Sequence, residues 1–149
     1  MAHELPDGVE LPAAHRWAAD DLAAPIASSS RAPQAMVVAP CSTRTLSAIA
    51  HGYASDLIVR TADVMLRMGR PLVLLPRETP LSLPAIENMP LARLAGAILL
   101  PPLIAYSPQP LSVHDVTDFT VGKRLDVLGL ENAHYRRWGE DAGTPDIQS

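Results

Sequence analysis

The stretch Ala35-Met36-Val37-Val38-Ala39-Pro40-Cys41-Ser42-Thr43-Arg44-Thr45-Leu46 decides how this chain reads. Its opening run, Ala35 to Ala39, is apolar on both faces, as a strand inside a parallel sheet should be. A proline then stops the run, hydroxyls follow, and Thr45 to Ala54 suits a helix. At such a junction the first helical N–H groups lack intrahelical partners, so a phosphate can satisfy them together with nearby hydroxyls. The plainer reading is that Ser42 or Thr43 caps the helix. Spacing alone leaves both open.

Working outward, the same grammar recurs twice. Leu72-Val73-Leu74-Leu75 and Ala97-Ile98-Leu99-Leu100 are short apolar runs closed by Pro76 and Pro101, as Met36 to Ala39 is closed by Pro40. Proline removes a ladder donor, so each is expected to end its strand. Between the first two strands a helix is expected from Ser55 or Asp56 to about Met68, with Ile58, Ala62, Met65 and Leu66 on one face and Gly69 as its stop. Ser82 to Ala95 gives another helix, weakened or interrupted by Pro90. Ser112-Val113-His114-Asp115 opens a last one with a capping-box pattern, Val113, Val121, Leu125 and Leu128 on one side, and an end near Gly129.

Strands alternating with helices predict an α/β fold, a Rossmann-like or flavodoxin-like parallel sheet with flanking helices. Ligands in such sheets bind beyond the carboxyl ends of the strands. Here those ends are Cys41 to Thr45, Arg77-Glu78-Thr79, and Pro102 to Ser107, three turns facing one crevice. Arg77 directly follows a buried strand, and its fork suits a phosphate. Glu78 reads as its salt-bridge partner or as a group exchanging protons with that phosphate. Arg60 and Arg67 lie two turns apart on one helix. With Asp63 between them they also make an ordinary exposed charge ladder.

Composition narrows the function classes. The 149 residues suffice for one domain with a core. Hydrophobic residues at 48% against 19% charged exclude a disordered chain. A net charge of −4 and only 4% aromatics provide neither a basic stripe nor stacking platforms, so nucleic acid is set aside. The longest apolar run, Leu94 to Leu103, is about half of a membrane span. The single Cys41 excludes an internal disulfide and reads as a buried thiol. Five scattered histidines without an HExxH pattern suggest no metal site. Glu4, Asp7 and Glu10 stand where a signal peptide would be basic and then apolar, which predicts a cytoplasmic protein. Residues 1 to about 34 read as a mobile or partner-docked arm, with one helical turn near Trp17 to Leu22.

Met36 to Leu46, Leu57 to Val64 and the string Arg70-Pro71-Leu72-Val73-Leu74-Leu75-Pro76-Arg77-Glu78-Thr79-Pro80-Leu81 together resemble the UbiX-type flavin prenyltransferase family. Glu87-Asn88-Met89, Gly96 to Pro101 and Asp118 to Lys123 extend the likeness over roughly 20–140. On this basis the chain divides into an arm over 1–19, a flavoprotein domain over 20–140 and a tail over 141–149. The resemblance implies a metal-independent homo-oligomer that moves a dimethylallyl group from dimethylallyl phosphate to reduced FMN, yielding prenylated FMN for a UbiD-like decarboxylase.

By the same resemblance Ser42, Thr43, Arg44 and Thr45 would hold the FMN phosphate, and Arg60 would hydrogen-bond the flavin. Arg67, Arg77, Glu78 and Lys123 would surround the dimethylallyl phosphate, partly across a subunit boundary. Tyr106 joins the substrate set, one place before Ser107, where the family carries a tyrosine. Arg67 stands where the family has lysine. The family's opening strand, glycine-rich Gly-Ala-Ser-Gly turn, helix and second strand have no counterpart here. The fold is therefore expected without its first strand-helix-strand unit, its first strand an open edge unless a second chain supplies the neighbour and the turn. Two other readings accompany the enzyme: a non-catalytic or flavin-handling accessory subunit of a decarboxylase system, and a cysteine-decarboxylase-type flavoprotein. In the latter group asparagine stands at the place of Arg44.

Overall fold

The computed structural model describes residues 14–106 and 109–137. The first part of the arm, Ser107 and the 141–149 tail lie outside them. Three strands, β1 (Met36–Cys41), β2 (Leu72–Pro76) and β3 (Ile98–Leu99), form one parallel sheet in the order β1-β2-β3. The helices are α1 (Thr43–Ala50), α2 (Leu57–Arg67), α3 (Leu83–Leu94) and α4 (Val113–Val127). This is the α/β architecture that the alternating pattern predicts.

The central strand explains the core. Every residue of β2 is buried, and Leu72 and Leu74 join Val38, Leu46, Val59, Ala62 and Met65 in one cluster. A strand covered on both faces has no polar side to show, hence Leu-Val-Leu-Leu. β1 is different. It is an edge among the described strands, and Val37 is 39% exposed.

Pro40 does not close β1. The strand continues to Cys41, and the pairing with β2 slips between Val38 and Cys41. A residue without an N–H is tolerated at such an irregularity. Pro76 does end β2, and Pro101 follows β3, where the Leu100 N–H still donates to the Leu74 carbonyl at 2.8 Å. Pro90 leaves α3 continuous. The Pro90 ring lies on the exposed side, where a missing bond to the preceding turn is least costly.

Helix starts follow the sequence signals. Asp56 accepts from the Val59 N–H at 2.9 Å, Ser82 from Ala85 at 3.4 Å, and Ser112 with Asp115 forms the expected reciprocal capping box. Gly69 stops α2 at φ +61°, a left-handed position that suits glycine.

The apolar stripe of α2 is wider than expected, since Leu57, Val59, Thr61 and Val64 are buried as well as Ala62 and Met65. The reason is tertiary. Val59 joins the cluster around β2, and Leu57 is covered by Ala24 and Ala27. Two 3-10 turns, Pro25–Ala27 and Ser29–Arg31, lie in this stretch, expected to be a mobile or partner-docked arm. The Leu57 N–H donates to the Ala19 carbonyl at 2.7 Å, and Arg70 donates to the carbonyls of Ala32 and Pro33. From Ala19 onward, therefore, this stretch is tied to α2.

α4 stands apart. None of the extensive packings between described elements involves it, and Val113 is 84% exposed. Of the expected apolar side, Val113 is exposed, whereas Val121, Leu125 and Leu128 are half-buried. The segment after Gly129 turns back onto the helix. Asn132 donates to the Gly122 carbonyl at 3.3 Å and to Asp126 at 2.8 Å, and Phe119 meets Tyr135 edge to face at 5.0 Å.

Candidate functional site

The register of the sheet brings two of the expected turns together. Cys41 is the pairing partner of Pro76, so Ser42 and Arg77 leave adjacent strands at the same carboxyl edge. On the β1 side, Ser42 Oγ accepts from the Thr45 N–H at 3.2 Å and lies 3.0 Å from Thr45 Oγ1. The capping reading of Ser42 is therefore correct, and Thr43 is the first helical residue. Capping uses one first-turn amide. The Thr43 and Arg44 amides are also in the first turn, where helical geometry gives them no intrahelical acceptor. Arg44 holds a charge at this end with its side chain 80% exposed, its Nη2 3.9 Å from Asp56.

On the β2 side, Arg77, Glu78 and Thr79 form one wall of an open cavity of about 650 Å³. Pro76 and Leu81 flank them, and Met89 with Pro101, Pro102 and Leu103 supplies an apolar wall. Glu78 is exposed, and its Oε1 accepts from the Thr79 N–H at 3.2 Å. The arrangement offers cationic and carboxylate groups at the mouth of an apolar cleft, next to a helix N-terminus. Such a place suits a molecule that is anionic at one end and apolar at the other.

The remaining expected site residues stand off this cleft. Arg60 donates through Nε to the Ala27 carbonyl at 3.3 Å and lies 3.8 Å from Asp63, while Arg67 donates to Asp63 at 3.0 Å. Within one chain they form the charge ladder that their spacing allows. Tyr106 is 76% exposed and does not line the cavity. Lys123, on α4, has its ammonium 4.8 Å from the Tyr135 ring centre and 5.5 Å from that of Phe119.

Cys41 is buried, and burial pushes its thiol up to about 11. At neutral pH it stays protonated, which fits packing rather than nucleophilic chemistry. Among the described residues no cluster of three or more His, Cys, Asp or Glu could hold a metal ion, and no helix is long and apolar enough to cross a membrane.

Sequence reasoning placed Pro102 and Leu103 at the crevice but missed Leu81 and Met89 in its wall, and it missed the α4 clasp. Leu81 and Leu103 each lie close behind a strand-closing proline, a position that places them at the carboxyl edge. Gly122 inside a helix is a signal of close backbone approach. A Cβ there would run into the Tyr135 ring.

An open parallel sheet with a helix N-terminus and a cleft lined by Arg77 and Glu78 at its carboxyl edge places the chain among α/β proteins whose ligand sites lie beyond the strand ends. The Flavoprotein family profile matches residues 8–124, and the chain belongs to that family. It is 47% identical over 137 residues to the flavin prenyltransferase UbiX of Methanothermobacter thermautotrophicus, an alignment covering 91% of this chain and 72% of the relative. Among solved structures, a UbiX in complex with FMN and dimethylallyl pyrophosphate superposes with a TM-score of 0.78 at 45% identity, covering 81% of this chain and 64% of the other. A dodecameric FMN-dependent UbiX-like decarboxylase from Escherichia coli O157:H7 gives 0.77 at 44% identity, with 80% and 65% covered. The chain spans 58% to 65% of the length of several further UbiX relatives.

Proposed function

We propose that this chain acts as a flavin prenyltransferase, moving a dimethylallyl group from dimethylallyl phosphate to reduced FMN and delivering prenylated FMN to a UbiD-like decarboxylase. The observation that carries the reading is the Cys41–Pro76 register, which sets the α1 N-terminus beside the Arg77–Glu78 cleft. Likeness to UbiX proteins supports it, as does a related crystal structure that contains FMN and a dimethylallyl ester.

The residues at the α1 N-terminus fit an FMN phosphate. First-turn amides of Thr43 and Arg44, the hydroxyls of Ser42 and Thr45, and the Arg44 guanidinium make a donor set matched to a dianion. Arg60 is assigned to the flavin. When bound, reduced FMN would supply the nucleophile. The chain's own part is ionisation of the allylic phosphate: the C–O bond breaks and its electron pair stays on the departing phosphate. Arg77 stabilises that charge as it develops, and Glu78 takes or returns the phosphate proton. Met89 and Leu103 shield the allyl cation from water.

Arg67, Tyr106 and Lys123 reach the substrate in this reading across a subunit boundary, in a cytoplasmic homo-oligomer. A dodecameric relative supports that arrangement. The test is direct. Purified protein should take up FMN and turn yellow, and anaerobic incubation with reduced FMN and dimethylallyl phosphate should yield a flavin heavier by one prenyl group. A colourless protein that ignores added FMN refutes the proposal.

The engagement of Arg60 and Arg67 by Asp63 favours a second reading, a flavin-handling accessory subunit of a decarboxylase system. FMN binding without prenyl transfer, at any protein concentration, would select it.

A further inference from the structure

Lys123 is the only lysine in the chain, and its ammonium has two aromatic neighbours. We propose that Tyr135 is a positioning residue for Lys123, its ring forming with Phe119 a seat that aims the ammonium at the substrate phosphate. The proposal rests on the reading above that Lys123 meets dimethylallyl phosphate.

Three observations build the seat. The Tyr135 ring approaches Gly122 so closely that only glycine fits beneath it. Its hydroxyl donates to Asp126 Oδ2, which fixes the ring's orientation, and Phe119 abuts it edge to face. Asp126 is itself held by Asn132 at 2.8 Å and by Arg137 at 2.7 Å. A lysine stem is long and has many rotamers, so a free Lys123 would lose that freedom on meeting an anion. A ring face attracts the ammonium without occupying its N–H donors by an acceptor. Seated this way, the charge is restrained and its donors stay open to a phosphate. Arg137 lies 5.5 Å from the same ring and pairs with Asp126 at 2.7 Å.

Two readouts test it on the full-length protein. With lysine labelled by carbon-13, the chain gives a single ε-methylene resonance. In the wild type it should be displaced upfield by ring currents, in Tyr135→Phe less so, and in Tyr135→Leu it should return to the position of a free lysine. In turnover assays Tyr135→Leu should raise KM for dimethylallyl phosphate about tenfold, the scale of a desolvated cation–π contact, with a smaller rise for Tyr135→Phe and FMN affinity unchanged. An undisplaced wild-type resonance overturns the proposal. So does a Tyr135→Leu protein with the wild-type spectrum or KM, or one that lowers kcat alone. Should the wild type not turn over, the prenyltransferase reading fails, and the lysine resonance by itself decides whether the seat exists.

Discussion

The sheet with α1 to α3 and the α4 region are held together by different forces. In the first, β2 is buried throughout and its leucines interlock with Leu46, Val59 and Met65, so order comes from apolar area removed from water. In the second, a helix is clasped by its own following segment through Asp126, Asn132, Tyr135 and Arg137. The lesson is that the two halves of the expected site rest on unlike foundations. Arg77 and the Ser42 turn project from a rigid core, whereas Lys123 is aimed by a polar and aromatic clasp that pH and single substitutions can loosen.

The sharpest way to break the comparison is in the core. Leu74→Ala should cost about 2–5 kcal/mol in denaturant unfolding, because a fully buried leucine on the central strand leaves a cavity. Equal loss from Tyr135→Ala would erase the distinction between the halves. Next in size is Arg77→Ala, expected to lower prenyl transfer by about 10²–10³-fold, as removal of a donor to developing charge does. Turnover near that of the wild type would remove Arg77 from its role.

Ser42→Ala removes the cap on α1, with an expected loss of about 1 kcal/mol and weaker FMN uptake in the same protein. Loss of stability with full FMN uptake would show that the turn only caps. Gly122→Ala should unseat Tyr135 and return the lysine resonance to its free position, while global stability stays within about 1 kcal/mol. Alanine is the better helix former at an interior position, and that gain opposes the lost clasp.

The smallest effect concerns pH. Hydrogen bonds from Tyr135, then Arg137, hold the Asp126 carboxyl down at about 2, below its ordinary 3.8. A depressed folded value means that the clasp's contribution is fully present above the ordinary aspartate range and is lost as pH falls through about 2. The lysine resonance should thus hold at neutral pH and drift between about pH 4 and pH 2, and Asp126→Asn should abolish that drift.

Much was legible in residue order. Apolar runs ending near prolines located the three strands, and Asp56, Ser82, Ser112 and Gly69 marked helix ends, because caps and left-handed stops are local chemistry. Arg77 could be placed at a ligand edge since its strand was recognisable. The string around it carried the resemblance to UbiX proteins. Period and propensity, however, describe one element at a time. They could not show that Pro40 sits inside a slipped pairing, nor that the 19–34 stretch covers the outer side of α2.

By itself, then, the sequence determined which segments are strands and helices, which turns carry charge, and which family the chain resembles, all through neighbours within a few residues of one another. Tertiary structure alone decided which of those charges meet. The β1–β2 register put Ser42 beside Arg77, and the chain's return past Gly129 seated Lys123 on Tyr135. The physical reason is that an ion pair or a ring contact between distant residues depends on register and packing, which no local pattern encodes.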